Sequence, residues 1–490
     1  MTPLYAERQI RAPSLAAGGS FFFARDETSG LRSIVRAPNL LPMGMRAPTP
    51  TGGFESAYAW LLSLEARGID LGLDRVRHAL ERMGSPHERL KAVTIAGTNG
   101  KGSTAAFLSS ILHEAGYRVG LYTSPHLTRV TERIRIGGAE MDHSDFVRWA
   151  WRLQQVVESK NPVDLTFFEA LTVMAIGHFA EREVDIAVLE VGLGGRLDAT
   201  AVVPPIVSVI TPVGYDHQAW LGASLEAICT EKAGIIQPGS TVVTNVRREL
   251  FQKVVGPRAF DLRCPIRRAG VDFVQRWLHE GVRYRGWIHR VGPVQLGIQG
   301  THQAGNAALA CAAAESLCAN TFRIKAVHIA EGLQRARHPG RMEVRPAQVD
   351  HRGERWPRIL LDGAHNPMAA AVLACQLQTY LPTRPRVLLF SARPDKDVAA
   401  MMDALAPKVD KVIVTAIPHT PLPDLERLSA VARERGAEVD VESDLTLALR
   451  QARDEAGLQG GILVAGSLHL VGAIMPHLPG GSGRLTVGDP

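Results

Sequence analysis

Apolar residues recur at helical spacing over 57–67 and 73–83, which predicts two helices. The pattern then changes. Lys91-Ala-Val-Thr-Ile-Ala96 is a short, nearly unbroken apolar run ending in a glycine-rich turn, as expected of a strand buried on both faces. Residues 102–115 return to a helical pattern, and further buried strands are predicted at 119–123, 185–190 and 206–211. Helical stretches separate most of these strands, so the sheet they form should be mostly parallel. A second series follows the 335–341 stretch, with strands predicted at 358–361, 386–390, 411–415 and 461–465. The expected fold class is α/β. A larger domain with a mostly parallel sheet (54–337) should be joined near His338-Pro339-Gly340 to a smaller, Rossmann-like α/β domain (338–478).

Length and composition agree with this picture. A chain of 490 residues is too long for one ordinary core. Its 46 glycines and 30 prolines supply the many turns that such a fold needs. No apolar run is long enough to cross a bilayer, so no membrane partner is expected. The formal charge is +6, but the basic residues are spread along the chain, so an acidic small-molecule substrate explains the balance as well as nucleic acid does. Cys229, Cys264, Cys311, Cys318 and Cys375 form no CxxC pair and are odd in number, which fits reduced thiols in a cytoplasmic protein. Residues 1–53 are arginine-rich and poor in acids. They read as a disordered extension, with a translation start at Met43 or Met45, or an organelle-targeting segment, as alternatives. Residues 479–490 read as a flexible tail.

The most specific chemical signal is Gly97-Thr98-Asn99-Gly100-Lys101-Gly102-Ser103-Thr104, directly after a predicted strand and opening a helix. Glycines let successive backbone N–H groups turn toward one anion, Lys101 brings a cation to the β- and γ-phosphates, and Ser103 or Thr104 offers an oxygen to Mg²⁺. The usual GxxxxGK[ST] spacing is not met, because Ile95 stands at the first glycine and Gly102 follows the lysine. That departure and the lack of an NKxD motif weaken a GTPase reading.

The Gly97–Ser103 segment resembles the ATP loop of Mur-type ligases, and more closely that of the dihydrofolate synthase/folylpolyglutamate synthase family. Further motifs carry the resemblance from about residue 55 to 476. They are Ser124-Pro125-His126, Thr166-Phe-Phe-Glu169, Glu190-Val-Gly-Leu-Gly-Gly-Arg-Leu-Asp-Ala-Thr200, Asp216-His217 and Glu231-Lys232-Ala-Gly. The resemblance implies metal ligation by Ser103, Glu169 and His217, and folate-side contacts from Ser124, Pro125 and His126. It also implies ATP and Mg²⁺ as cofactors, and allows a carbamate on Lys232 and a bound monovalent cation. Taken singly, Glu169 reads as a strand-end carboxylate, His217 as a turn histidine and Lys232 as a solvated helix lysine. In family order, the functional reading is preferred.

In the second half, Gln303 and Asn306 match the family segment over the adenine. Arg341 matches the arginine that reaches the phosphates, and Asp362 and His365 match residues approaching the nucleotide. The implied reaction joins glutamate to dihydropteroate or a reduced folate through an acyl phosphate, with Lys101, Lys232, His217 and Arg341 as the catalytic set. A monomer working on small molecules, without nucleic acid, is expected. A monofunctional folylpolyglutamate synthase or a cell-wall Mur ligase is the alternative.

Overall fold

A computed structural model describes residues 52–350, 353–418 and 424–479. Nearly all of the proposed extension and tail therefore lies outside the described residues. Eight strands build the first sheet: β1 (Ala92–Ala96), β2 (Val119–Tyr122), β3 (Ile134–Ile136), β4 (Ala139–Glu140), β5 (Ile186–Glu190), β6 (Pro205–Ile210), β7 (Thr241–Thr244) and β8 (Ile266–Arg268). Their order is β4-β3-β2-β5-β1-β6-β7-β8. The six from β2 to β8 are parallel, and β3 and β4 add an antiparallel edge.

β1 is apolar on both sides because both faces of the sheet are covered. Val93 and Ile95 join Phe107, Leu108 and Ile111 of the helix Lys101–Glu114, while Ala92 joins Ile176 and Phe179 of the helix Phe167–Glu181. The alanine-rich helix Gln303–Cys318 can lie close to Lys101–Glu114 because its side chains are small. A Cβ on Gly332 would stand 2.4 Å from the Ile111 Cα, so the helix Ala326–Arg335 also approaches at backbone distance.

Three strands that the apolar pattern does not reveal, β9 (Val274–Leu278), β10 (Gly281–Arg285) and β11 (Arg290–Val294), form an antiparallel sheet against this core. Val282, Tyr284 and Val291 face inward, whereas the intervening arginines face water and break up the apolar run.

After β11 come β12 (Glu343–Arg345), β13 (Gln348–Val349), β14 (Arg355–Trp356), β15 (Arg358–Leu361), β16 (Arg386–Phe390), β17 (Lys411–Val414), β18 (Glu438–Val441) and β19 (Gly461–Ala465). Six of them make a second sheet, β12-β15-β19-β16-β17-β18, parallel except for β12, with a separate apolar core on each face. The two sheets with their helices are two lobes. Leu127, from the loop after β2, packs into the second lobe's core. No helix among the described residues is long and apolar enough to cross a membrane.

Candidate active site

The loop after β1 sits where the chain order switches, with β5 on one side of β1 and β6 on the other. Open parallel sheets bind ligands in that position, beyond the carboxyl ends of their strands. Two glycines make the loop's path possible. A Cβ on Gly97 would stand 1.8 Å from Thr211 Oγ1, and one on Gly100, at φ 87°, would stand 2.3 Å from Asn306 Oδ1. Thr98 and Gly214 exchange hydrogen bonds, Thr98 Oγ1 donating at 3.0 Å and accepting at 3.1 Å, which ties the loop to the segment after β6. Ser103 and Thr104 are buried in the first turn of the helix, and among the described residues Thr104 Oγ1 has no hydrogen-bond partner.

Two amines converge on this loop. Lys101 Nζ donates to the Gly97 and Thr98 carbonyls at 3.1 and 3.2 Å, and Lys232 Nζ to the Gly97 carbonyl at 2.9 Å. Lys232 is buried rather than solvated, because the helix Leu225–Ala233 packs against the sheet. Burial, then repulsion from Lys101, holds its amine down at about 7. Burial likewise lowers Lys101, with Glu190 opposing.

Glu190 emerges as a site residue that the motif reading left unassigned. It ends β5 in register with Ile95, and its buried Oε2 accepts the Ser124 N–H at 3.1 Å. The same oxygen lies 3.3 Å from where a Cβ of Gly102 would stand. Burial raises its pKa, with Lys101 opposing. Glu169 is differently employed. It sits in the helix Phe167–Glu181, not at a strand end, and closes a capping box with Thr166. Its carboxylate also accepts from Arg75 Nη2 at 2.9 Å. Among the described residues, no three or more His, Cys, Asp or Glu side chains are grouped to hold a metal ion. A divalent cation at the loop would depend on Glu190, the loop hydroxyls, phosphate oxygens and water, which suits Mg²⁺. The unpartnered Thr104 hydroxyl fits that use.

A cavity of about 330 Å³ opens between the lobes. Ser124, Pro125, Glu169 and His217 line it from the first lobe, and His365 and Lys396 from the second. Ile69, Leu71, Phe168, Leu193 and Leu197 supply an apolar wall. His217 has φ 52°. Burial and the nearby lysines push its pKa down to about 4 against the pull of Asp216, so its ring is neutral and able to act as a ligand near pH 7. His126 does not line the cavity. Its Nδ1 accepts from Arg133 Nε at 2.8 Å, and it is Arg133 that faces the cavity.

The remaining expected residues divide. Asn306 lies over Gly100 and donates to Gln303 Oε1 at 2.8 Å, and the buried Nδ1 of His302 beside them has no partner among the described residues. Arg341 is close enough to Lys101 and Glu190 to influence both charges. Asp362 is turned into its own lobe, accepting the Met342 and Ala364 N–H groups at 2.8 and 2.9 Å. His365 Nε2 lies 3.6 Å from Asp216 Oδ2, so it faces the cavity and the first lobe.

A phosphate loop in one lobe and a cavity shared with the other define the class of Mur-type ligases, and the family comparisons agree. The model of the Mur ligase middle domain matches residues 95–314, and that of the Mur ligase glutamate ligase domain matches 340–468. The chain belongs to the dihydrofolate synthase/folylpolyglutamate synthase family within that class. It is 34% identical over 362 residues to the Bacillus subtilis dihydrofolate synthase/folylpolyglutamate synthase, covering 72% of this chain and 82% of that one. It is 33% identical to a probable bifunctional folylpolyglutamate synthase/dihydropteroate synthase of Haloferax volcanii, covering 85% of this chain but only 50% of that relative's length. Escherichia coli FolC in complex with DHPP and ADP superposes with a TM-score of 0.77 at 31% identity, covering 88% of this chain and 99% of that one. A bifunctional folylpolyglutamate synthase/dihydrofolate synthase with Mn, AMPPNP and L-glutamate bound gives 0.75 at 32% identity, covering 88% and 100%.

Proposed function

We propose that this chain is an ATP-dependent ligase that joins L-glutamate to dihydropteroate, to a reduced folate, or to both, releasing ADP and phosphate. Residues 54–337 are taken as its ATP-binding domain and 338–478 as its glutamate-ligase domain. The observation that carries the reading is the shared cavity. Its first-lobe wall includes Ser124, which donates its N–H to Glu190 beside Gly102 of the phosphate loop, and its apolar side suits a flat ring system, while its second-lobe wall brings His365 and Lys396 from the glutamate-ligase side. The relatives holding ADP, DHPP and L-glutamate support the same assignment.

The reaction follows from where the charges sit. Loop N–H groups and Lys101 hold the ATP phosphates, and the acceptor carboxylate attacks the γ-phosphorus to give an acyl phosphate and ADP. Arg341 offsets charge on the transferred group. The glutamate amine then attacks the acyl carbon, and phosphate leaves as the amide forms. Closed lobes keep water from the acyl phosphate and hold the amine in line. Ser103, Thr104 and Glu190 would hold Mg²⁺, with His217 available as a further ligand from the cavity side, and the ion would offset negative charge as the phosphoryl group is transferred. Lys232, with its amine near neutral at physiological pH, is suited to form a carbamate with CO₂. Glu169, on the cavity wall, is paired with Arg75. No residue is assigned to a monovalent cation.

The test is phosphate release from ATP in the presence of glutamate and either dihydropteroate or tetrahydrofolate, with products identified by mass and Lys101→Ala run in parallel. Glutamate-dependent turnover, lost in the variant, is expected. Turnover with both acceptors gives a bifunctional enzyme and with one a monofunctional one. Folded protein that binds ATP yet turns over neither would overturn the folate assignment in favour of Mur-type substrates.

A further inference from the structure

Asn366 opens the helix Pro367–Tyr380 of the second lobe, and its side chain uses its full hydrogen-bonding capacity. Its Oδ1 accepts the Ala369 N–H at 2.9 Å and Asn99 Nδ2 at 3.2 Å. Its Nδ2 donates to Asn99 Oδ1 at 2.9 Å and to Asp216 Oδ2 at 3.4 Å. A carboxamide offers two donors and two acceptor lone pairs, so all four are filled. Asn99 belongs to the phosphate loop, and Asp216 precedes His217.

The Asp216 carboxylate gathers more of the second lobe. Lys396 Nζ donates to its Oδ1 at 2.7 Å, with the two side chains only 8% and 9% exposed, and His365 Nε2 faces its Oδ2 at 3.6 Å. Thus residues 365, 366 and 396, from the loops after β15 and β16, converge on 99 and 216, from the segments after β1 and β6. Capping the helix needs only the Asn366 oxygen, and a serine hydroxyl would serve it. The bonds to Asn99 and Asp216 cross between the lobes, which a capping role leaves unexplained.

We propose that Asn366 is a positioning residue that ties the phosphate loop to the second lobe, so that the loop's geometry and the closure of the cavity are set together. This rests on the ligase reading above and adds a residue to it. Breaking the tie loosens closure and admits water to the acyl phosphate. The water oxygen then bonds to the acyl carbon, the bond from that carbon to the phosphoryl oxygen breaks, and free acid and phosphate leave with no amide formed.

Two variants of the full chain test this. Asn366→Ser keeps a capping oxygen and deletes the bonds across the lobes. Asn366→Asp keeps cap and shape but sets an acceptor against Asn99 Oδ1 and Asp216. Thermal unfolding and the Kd for ADP report the fold and the loop. Phosphate released per amide formed reports leakage, which a loss of folded protein alone would not move. With ADP affinity held within about threefold, the ratio should rise from about one to about two or more, and the amide-forming kcat should fall about tenfold or more. A ratio that stays at one in both variants overturns the proposal. Should no acceptor give amide even with the wild type, the ligase reading fails and the coupling is still decided by X-ray scattering with ADP bound. A larger radius of gyration in both variants supports it, and profiles identical to the wild type overturn it.

Discussion

Lys232→Met isolates the cost of burying an amine beside a second one. Desolvation and Lys101 hold the Lys232 amine at about 7 in the folded chain, against 10.5 for a lysine in water. That gap of roughly 3.5 pH units corresponds to ~5 kcal/mol at about 1.4 kcal/mol per unit. The folded pKa lies below the unfolded one, so between these values the unfolded chain holds a proton that the folded chain has lost. Wild-type stability therefore rises with pH across that window, whereas below about pH 7 both states are protonated and the whole cost is present. From about pH 6.5 to about pH 9, this one group should add ~2–3 kcal/mol to the wild type and nothing to the variant. Methionine keeps an unbranched chain of similar length without the charge. Urea unfolding of both proteins at the two pH values, in buffers purged of CO₂ so that no carbamate forms, measures the difference directly. The variant should be favoured most at the lower pH, with its advantage shrinking at the higher. A difference that is the same at both pH values would refute the burial argument.

Other expectations follow from the site and the core. Glu190→Gln should lower kcat by about a hundredfold or more and weaken Mg²⁺ dependence, because Glu190 is the carboxylate beside the loop. Glu169→Gln should cost only about tenfold and leave the Mg²⁺ titration unchanged, because its carboxylate is held by Arg75 and a capping box. The reverse ranking, read from steady-state rates, would restore Glu169 as the metal ligand. Gly97→Ala should abolish nucleotide binding in a calorimetric titration, since its Cβ would collide with Thr211. Phe107→Ala, at a fully buried position, should cost ~3–5 kcal/mol in chemical unfolding.

Much of the fold could be read from runs of apolar residues. β1, β5, β6, β15, β16, β17 and β19 are buried on both faces, so each stands out as a short hydrophobic block, and their observed ends fall within a residue of the expected ones. β9 to β11 were not legible, because only one face is buried and arginines occupy the other. The phosphate loop was legible because its glycines and lysine follow a buried strand. Glu190 could have been found from its place at the carboxyl end of β5. The Thr166-x-x-Glu169 spacing could have marked Glu169 as a helix cap. The roles of Arg75, Arg133, Asp216, Lys396 and Asn366 were hidden for a different reason. Arg75, Asp216, Lys396 and Asn366 depend on partners far away in sequence, those of the last three in the opposite lobe, whereas Arg133 meets His126, seven residues away, only through the path of the loop after β2.

The central claim is that the acceptor carboxylate is activated by direct phosphorylation, and the fate of its oxygen tests that most directly. Acceptor carrying ¹⁸O in its reacting carboxylate would be turned over with ATP and glutamate, and the released phosphate analysed by mass. Transfer of one labelled oxygen into phosphate for each amide formed is predicted, because the carboxylate oxygen that attacks phosphorus leaves with it. Unlabelled phosphate alongside full amide formation would contradict the acyl-phosphate account.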